Sequence, residues 1–222
     1  MSGLVADPRV ADARPARVAQ ATAIALDQPP RRVAAALFAV IAVLCGLGAL
    51  ERLGADGFSL FDFDGEGKPL AIWSALVLFA AGGFALLTAS VERDDRRAWA
   101  ALGAFFVFMG LDEGLTVHEL MSDHLHTSWI YLYLPVAAVG GVAWLLVLRR
   151  IWPLARERAL LIAGAAAWFF AQVLEVLQWD GPRQVDGYGA LSGIEETLEV
   201  SGSALFVLAM LGALRAVSQR TS

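Results

Sequence analysis

Long apolar runs separated by short charged ones organise this chain, at residues 33–52, 70–90, 98–120, 129–151, 158–179 and 192–214. Each run is about the 20 residues that an α-helix needs to cross roughly 30 Å of hydrocarbon. The pattern predicts an all-α fold, a polytopic membrane protein whose six transmembrane helices form one bundle over residues 31–217. Residues 1–30, rich in Ala, Arg, Asp and Pro and ending in Pro29-Pro30, offer no apolar face of useful length and predict a disordered cytoplasmic tail. The first apolar run is too long for a signal-peptide core and is followed by no convincing small-x-small cleavage site, so it reads as a retained span.

Composition agrees with the pattern: 58% of the residues are hydrophobic, well above the share in a soluble domain. Cys45 is the only cysteine and falls mid-span, which leaves no disulfide framework and no thiolate metal site. Nothing in the chain has the form of a phosphate-binding loop, a nucleophile elbow or a nucleic-acid patch. The partners expected are the lipid bilayer and a lipid or other membrane-soluble substrate, with no nucleic acid.

Charge then sets an orientation. With the N-terminus in the cytoplasm, 14 of the 17 basic residues fall on the inner side and only Arg52, Lys68 and Arg183 lie outside. Lys and Arg in short loops orient membrane proteins, so both termini are expected in the cytoplasm of a bacterial inner membrane. Of the 22 acidic residues, 15 lie in the outer loops or outer halves of the helices. An anionic vestibule facing the periplasm would draw cations and repel anions. Trp73, Trp129 and Trp179 at outer helix ends, and Trp99 and Trp152 at inner ends, fit aromatic belts at the two interfaces, while Trp144 and Trp168 fall mid-span and read as packing.

The candidate chemistry lies among those acids. From Arg97 to Glu113 is 16 residues, from Arg158 to Glu175 is 17, and from Arg215 back to Glu199 is 16. At 1.5 Å per residue the three carboxyls share one level, about 24–26 Å from the inner surface. His118 and Glu119 on the third span, and Glu195 and Glu196 on the sixth, sit one to two turns further out. Residues three or four apart share a helix face, which allows either a Glu196/Glu199 or a Glu195/Glu199 pair and makes a polar stripe of Gln172, Glu175 and Gln178. On a continuous third helix Asp112, Thr116, Glu119 and Asp123 form another stripe, with His126 continuing it.

Carboxylates crowded in a low dielectric do not all stay ionised; protons or a cation must neutralise them. Carboxylate and imidazole donors from facing helices are the materials of di-iron and di-manganese bundles. The Glu-x-x-His motif of those bundles is absent here, where the nearest match is Asp123-x-x-His126, and soft ligands for copper are lacking. All three histidines, His118, His124 and His126, belong to one stretch, which argues against a bis-histidine haem. The leading expectation is a zinc, manganese or iron site drawn from Glu113, His118, Glu119, Glu175, Glu196 and Glu199, in a metal-dependent enzyme if the protein is one. The alternatives are proton or cation translocation through the acid layer, and a non-catalytic membrane assembly subunit whose acids pair with a basic partner.

Two further patterns have plainer readings. Asp62-Phe63-Asp64-Gly65-Glu66-Gly67 matches the first half of a calcium loop, but Trp73 stands where that loop needs its bidentate Glu, so the stretch reads first as a solvated turn. Small residues at 80–83, 138–141 and 163–167 allow close helix approach, with self-association into a homo-oligomer as the second reading.

Three segments together, DFDGEGKP with Trp73-Ser74 soon after, LDEGLTVHE in the third span and IEETLEVSGSALF at 194–206, resemble an uncharacterised group of bacterial multi-pass membrane proteins. The similarity covers most of 57–206. It implies the same choice of site residues and carries no activity with it.

Overall fold

The computed structural model describes residues 30–63, 67–117, 121, 124, 129–180 and 183–221. Among the described residues the long helices are α1 (Pro30–Arg52), α2 (Pro69–Val91), α3 (Arg96–Leu115), α4 (Trp129–Arg150), α5 (Ala155–Leu177) and α6 (Tyr188–Thr221). All six are long and apolar enough to cross a membrane, and the fold is the all-α six-helix bundle that the apolar runs predict. A two-residue antiparallel hairpin, β1 (Trp179–Asp180) and β2 (Arg183–Gln184), joins α5 to α6. The tail over residues 1–29, Asp64 to Glu66 of the acidic turn, and His118, Glu119, Asp123 and His126 lie outside the described residues.

The bundle is apolar on its outside. Leu134, Val139, Phe169 and Val176 are each more than 60% exposed, a placement that suits lipid and not water. The most buried helix is α6, which packs against α1, α2 and α5; α3 packs between α2 and α4. Glycines set two of these seams. A Cβ on Gly82 would come within 2.9 Å of the Gly103 carbonyl and one on Gly103 within 3.0 Å of the Gly82 carbonyl, so α2 and α3 touch backbone to backbone. Gly164 and Gly202 bring α5 and α6 together in the same reciprocal way, each 2.9 Å from the other's carbonyl by that measure.

Neither α4 with α5 nor α3 with α6 is among the closely packed pairs. Four helices therefore surround a space, and aromatic rings fill its lower part. Phe106 and Phe206 meet at 4.8 Å between ring centroids, and Trp168 packs edge-on against Phe206 at 5.8 Å. Towards the arginine-rich end, Arg150 at the close of α4 pairs with Glu92 at 3.0 Å and Asp95 at 3.4 Å, which ties the α2–α3 turn to α4.

One boundary differs from the sequence pattern in a way that matters. The apolar run predicts a third helix reaching residue 120, whereas α3 ends at Leu115. The Thr116 amide donates to the Asp112 carbonyl at 2.6 Å and closes the last turn, and its φ of 49° then sends the chain out of the helix. A left-handed conformation costs a β-branched residue roughly 1–2 kcal/mol. The stripe from Asp112 through Thr116 requires an unbroken helix, which Thr116 interrupts, and its further members Glu119 and Asp123 lie outside the described residues.

Candidate carboxylate centre

Above the aromatic rings the space between α3, α4, α5 and α6 is a cavity of about 450 Å³. Six carboxyl groups line it: Asp112 and Glu113 from α3, Glu175 from α5, and Glu195, Glu196 and Glu199 from α6. No Lys, Arg or His is among its described lining residues. The three acids that the sequence places at one level, Glu113, Glu175 and Glu199, do converge on one space.

Within that space the carboxyls divide by partner. Glu113, Glu196 and Glu199 each offer one oxygen within 4.8 Å of the others, the one group of three metal-ligating side chains so placed among the described residues. Glu196 and Glu199 are three residues apart on α6, so one helix face carries both, and Glu113 meets them from α3. Glu195, the other candidate for a pair with Glu199, turns instead to Gln178, whose amide donates to it. Glu175 lines the cavity outside the trio.

Neighbouring polar groups hold the trio's surroundings. Gln172 Nε2 donates to Glu199 Oε1 at 3.0 Å, so the stripe on α5 serves α6. Trp168 Nε1 donates to the Glu199 carbonyl at 3.0 Å and lies 3.2 Å from Ser203 Oγ, while the Ser203 hydroxyl donates to that same carbonyl at 2.9 Å. Across the cavity the Tyr133 hydroxyl of α4 donates to Asp112 Oδ1, which links α3 to α4 beside Glu113.

The floor and the rim follow from the same helices. Phe106, Trp168 and Phe206 each stand seven residues, two turns or about 10 Å, below Glu113, Glu175 and Glu199 respectively. Of these rings Trp168 lines the cavity, and Phe206 packs between it and Phe106. At the other end Trp179 of β1 and Tyr188 of α6 pack at 6.0 Å and both line the opening. Phe63 reaches the cavity from the α1–α2 loop because Gly48 leaves room for its ring, which a Cβ there would meet at 2.6 Å. Arg52, paired with Asp62 at 3.7 Å and 3.5 Å from Ser192 Oγ, pins that loop across α6.

Sequence reasoning selected Glu113, Glu175, Glu196 and Glu199, and all four line the cavity. His118 and Glu119 are outside the described residues, and His124, the histidine that is described, is exposed and does not line the cavity. Asp112 and Tyr133 were not in the selected set. Asp112 lies one residue below the level of Glu113 and is only 6% exposed, and the signal available for Tyr133 was a tyrosine hydroxyl in an apolar run that also carries Tyr131. Trp168 does pack, as its mid-span position predicts, and in addition forms part of the site wall.

Fold and site together define a multi-pass membrane protein with an acid-lined cavity among its helices. Residues 32–214 match the model of a family described as Domain of unknown function (DUF8692), and the chain belongs to that family. No curated protein and no solved structure shows significant similarity to it.

Proposed function

We propose that this protein binds a divalent transition metal through Glu113, Glu196 and Glu199 and presents it to a membrane-soluble substrate in the adjoining cavity. The observation that carries the reading is the trio itself, with one oxygen from each of three glutamates within 4.8 Å of the others. Metal–carboxylate distances of about 2.0–2.2 Å put ligand oxygens up to roughly 4 Å apart, so the trio needs only a small closure to share an ion. Among transition metals an all-oxygen donor set suits manganese best, with iron and zinc better served if an imidazole joins it, and is poorly suited to copper. His118 and Glu119, two and three residues beyond Thr116, are the further donors that the sequence offers.

An ion held there would supply Lewis acidity towards a bound water. The chain's own groups would do the rest. Glu175 stands in the same cavity outside the trio and is the candidate general base. Gln172 and Trp168 hold Glu199, and the rings of Phe106 and Phe206 pack below the site. That ring layer, with the apolar helix halves beneath it, favours a one-sided binding site over a proton or cation pathway. The arginine asymmetry supports a bacterial inner-membrane protein with cytoplasmic termini and a periplasmic site.

Elemental analysis of the detergent-purified protein after mild chelation tests the reading. One or two equivalents of metal in wild type, lost in Glu199→Gln and kept in Glu175→Gln, is the expected result. A folded wild type that takes up no metal would overturn it.

A further inference from the structure

The arginine-rich end of the bundle holds a second cavity, of about 210 Å³, between the start of α1, the start of α5 and the last turns of α6. Its floor is apolar, made by Leu208 and Leu211, and its polar wall carries Arg156 of α5 with Arg215 and Gln219 of α6. From Leu208 to Arg215 is seven residues, or about 10 Å of helix rise. That step is comparable with the roughly 5–8 Å by which headgroups extend the hydrocarbon on each side of a bilayer. Trp152, in the α4–α5 turn, is 55% exposed and stacks under the Arg158 guanidinium at 4.6 Å, as an interfacial aromatic does.

Three features draw an anion to this cavity. Arg156 and Arg215 both line the cavity, and a negative charge placed between two like charges is favoured there. The helix α5 begins here with Leu154 at its N-cap, a residue with no side-chain acceptor for the first-turn amides, so the positive end of the helix is uncapped. Exposed Arg31 and Arg32 follow Pro30, which lines the cavity. Among the described lining residues one acid opposes them: Glu157 lies over Gly212, where an added Cβ would meet its Oε1 at 2.5 Å.

We infer that this cavity holds the phosphate of a membrane phospholipid between Arg156 and Arg215, with the glyceryl carbons against Leu208 and Leu211. Both a lipid headgroup and a free phosphate would satisfy the arginines. The leucine floor favours the lipid, because a small hydrated anion gains nothing from it. The site is separate from the carboxylate centre and does not depend on the function proposed for it.

The test uses the full chain in detergent, washed free of lipid and titrated with phosphatidylglycerol, followed by native mass spectrometry and thermal unfolding. Wild type should retain a phosphatidylglycerol molecule per chain and unfold at a higher temperature with it. Arg156→Gln and Arg215→Gln should each weaken retention about tenfold or more, the loss expected for a charge-assisted hydrogen bond. Arg93→Gln, exposed in the α2–α3 turn, should not. Equal retention by all the variants would overturn the proposal, and so would inorganic phosphate stabilising wild type as well as the lipid does at the same concentration. Should the arginine variants fail to fold, wild type alone decides: retention of a phosphate-free diacylglycerol equal to that of phosphatidylglycerol would sink the assignment.

Discussion

The Trp168 indole donates to the backbone carbonyl of Glu199 at 3.0 Å, so the ring that helps to floor the cavity also fixes the helix turn that presents its central acid. Ser203 donates to the same carbonyl at 2.9 Å, and the closest seam of α5 and α6, at Gly164 and Gly202, lies beside it. Trp168→Phe keeps a ring against Phe206 and removes the indole donor. A loss of about 0.5–1.5 kcal/mol is expected for that hydrogen bond, read as a lower unfolding temperature, with weaker metal uptake alongside.

The two neighbouring glutamates of α6 should behave differently. Glu196 belongs to the trio, whereas Glu195 is engaged by Gln178. Glu195→Gln is expected to weaken metal binding by no more than the roughly 10–100-fold typical of an outer-shell change, and Glu196→Gln by more. Metal titration of the two variants side by side checks this. Equal effects would mean that the pairing on α6 is with the other face.

Tyr133→Phe retains the ring that packs near Phe108 at 5.8 Å and deletes the hydroxyl that donates to Asp112. Asp112 is only 6% exposed, so the loss of its donor should cost about 1–3 kcal/mol. Thermal unfolding of the variant measures the cost. Asp112→Asn together with Tyr133→Phe should cost less than the sum of the two single changes, because they remove one shared interaction.

Close helix approach predicts a contrast between glycines. A Cβ at Gly202 would stand 2.6 Å from the Trp168 ring and 2.9 Å from the Gly164 carbonyl, while at Gly83 it would meet nothing within 4 Å. Gly202→Ala should destabilise by about 1–3 kcal/mol through overpacking and should disturb the hydrogen bonds around Glu199. Gly83→Ala should be neutral or slightly stabilising, and unfolding temperatures of the pair distinguish the two outcomes.

Metal removal supplies an independent check on the proposed centre. A ligand present at a hundred times its dissociation constant stabilises the folded state by about 2.7 kcal/mol. Unfolding should therefore move to lower temperature on chelation and return when manganese, iron or zinc is restored. The Glu199→Gln variant should show no such shift.

Much of this architecture is written along the chain. Hydropathy and run length are one-dimensional properties, and they mark six spans to within a few residues at most ends. Constant helix rise likewise turns the distances from Arg97, Arg158 and Arg215 into a shared level for Glu113, Glu175 and Glu199. Where backbone geometry departs from that regularity the sequence misleads, as at Thr116, whose left-handed φ ends α3 and breaks the expected stripe.

Rotation about each helix axis is a different kind of quantity. It depends on which faces approach, and that was decided by contacts between helices: Gly82 on Gly103, Gly164 on Gly202, and the rings of Phe106, Trp168 and Phe206 between them. Those contacts aim Glu196 at Glu113, give Glu195 to Gln178, leave Glu175 outside the trio and bring Tyr133 to Asp112. The sequence by itself determined that acids gather at one depth of a membrane bundle. Only the tertiary structure decided which of them meet, because an axial position follows from residue number, whereas a neighbour across a helix seam follows from packing.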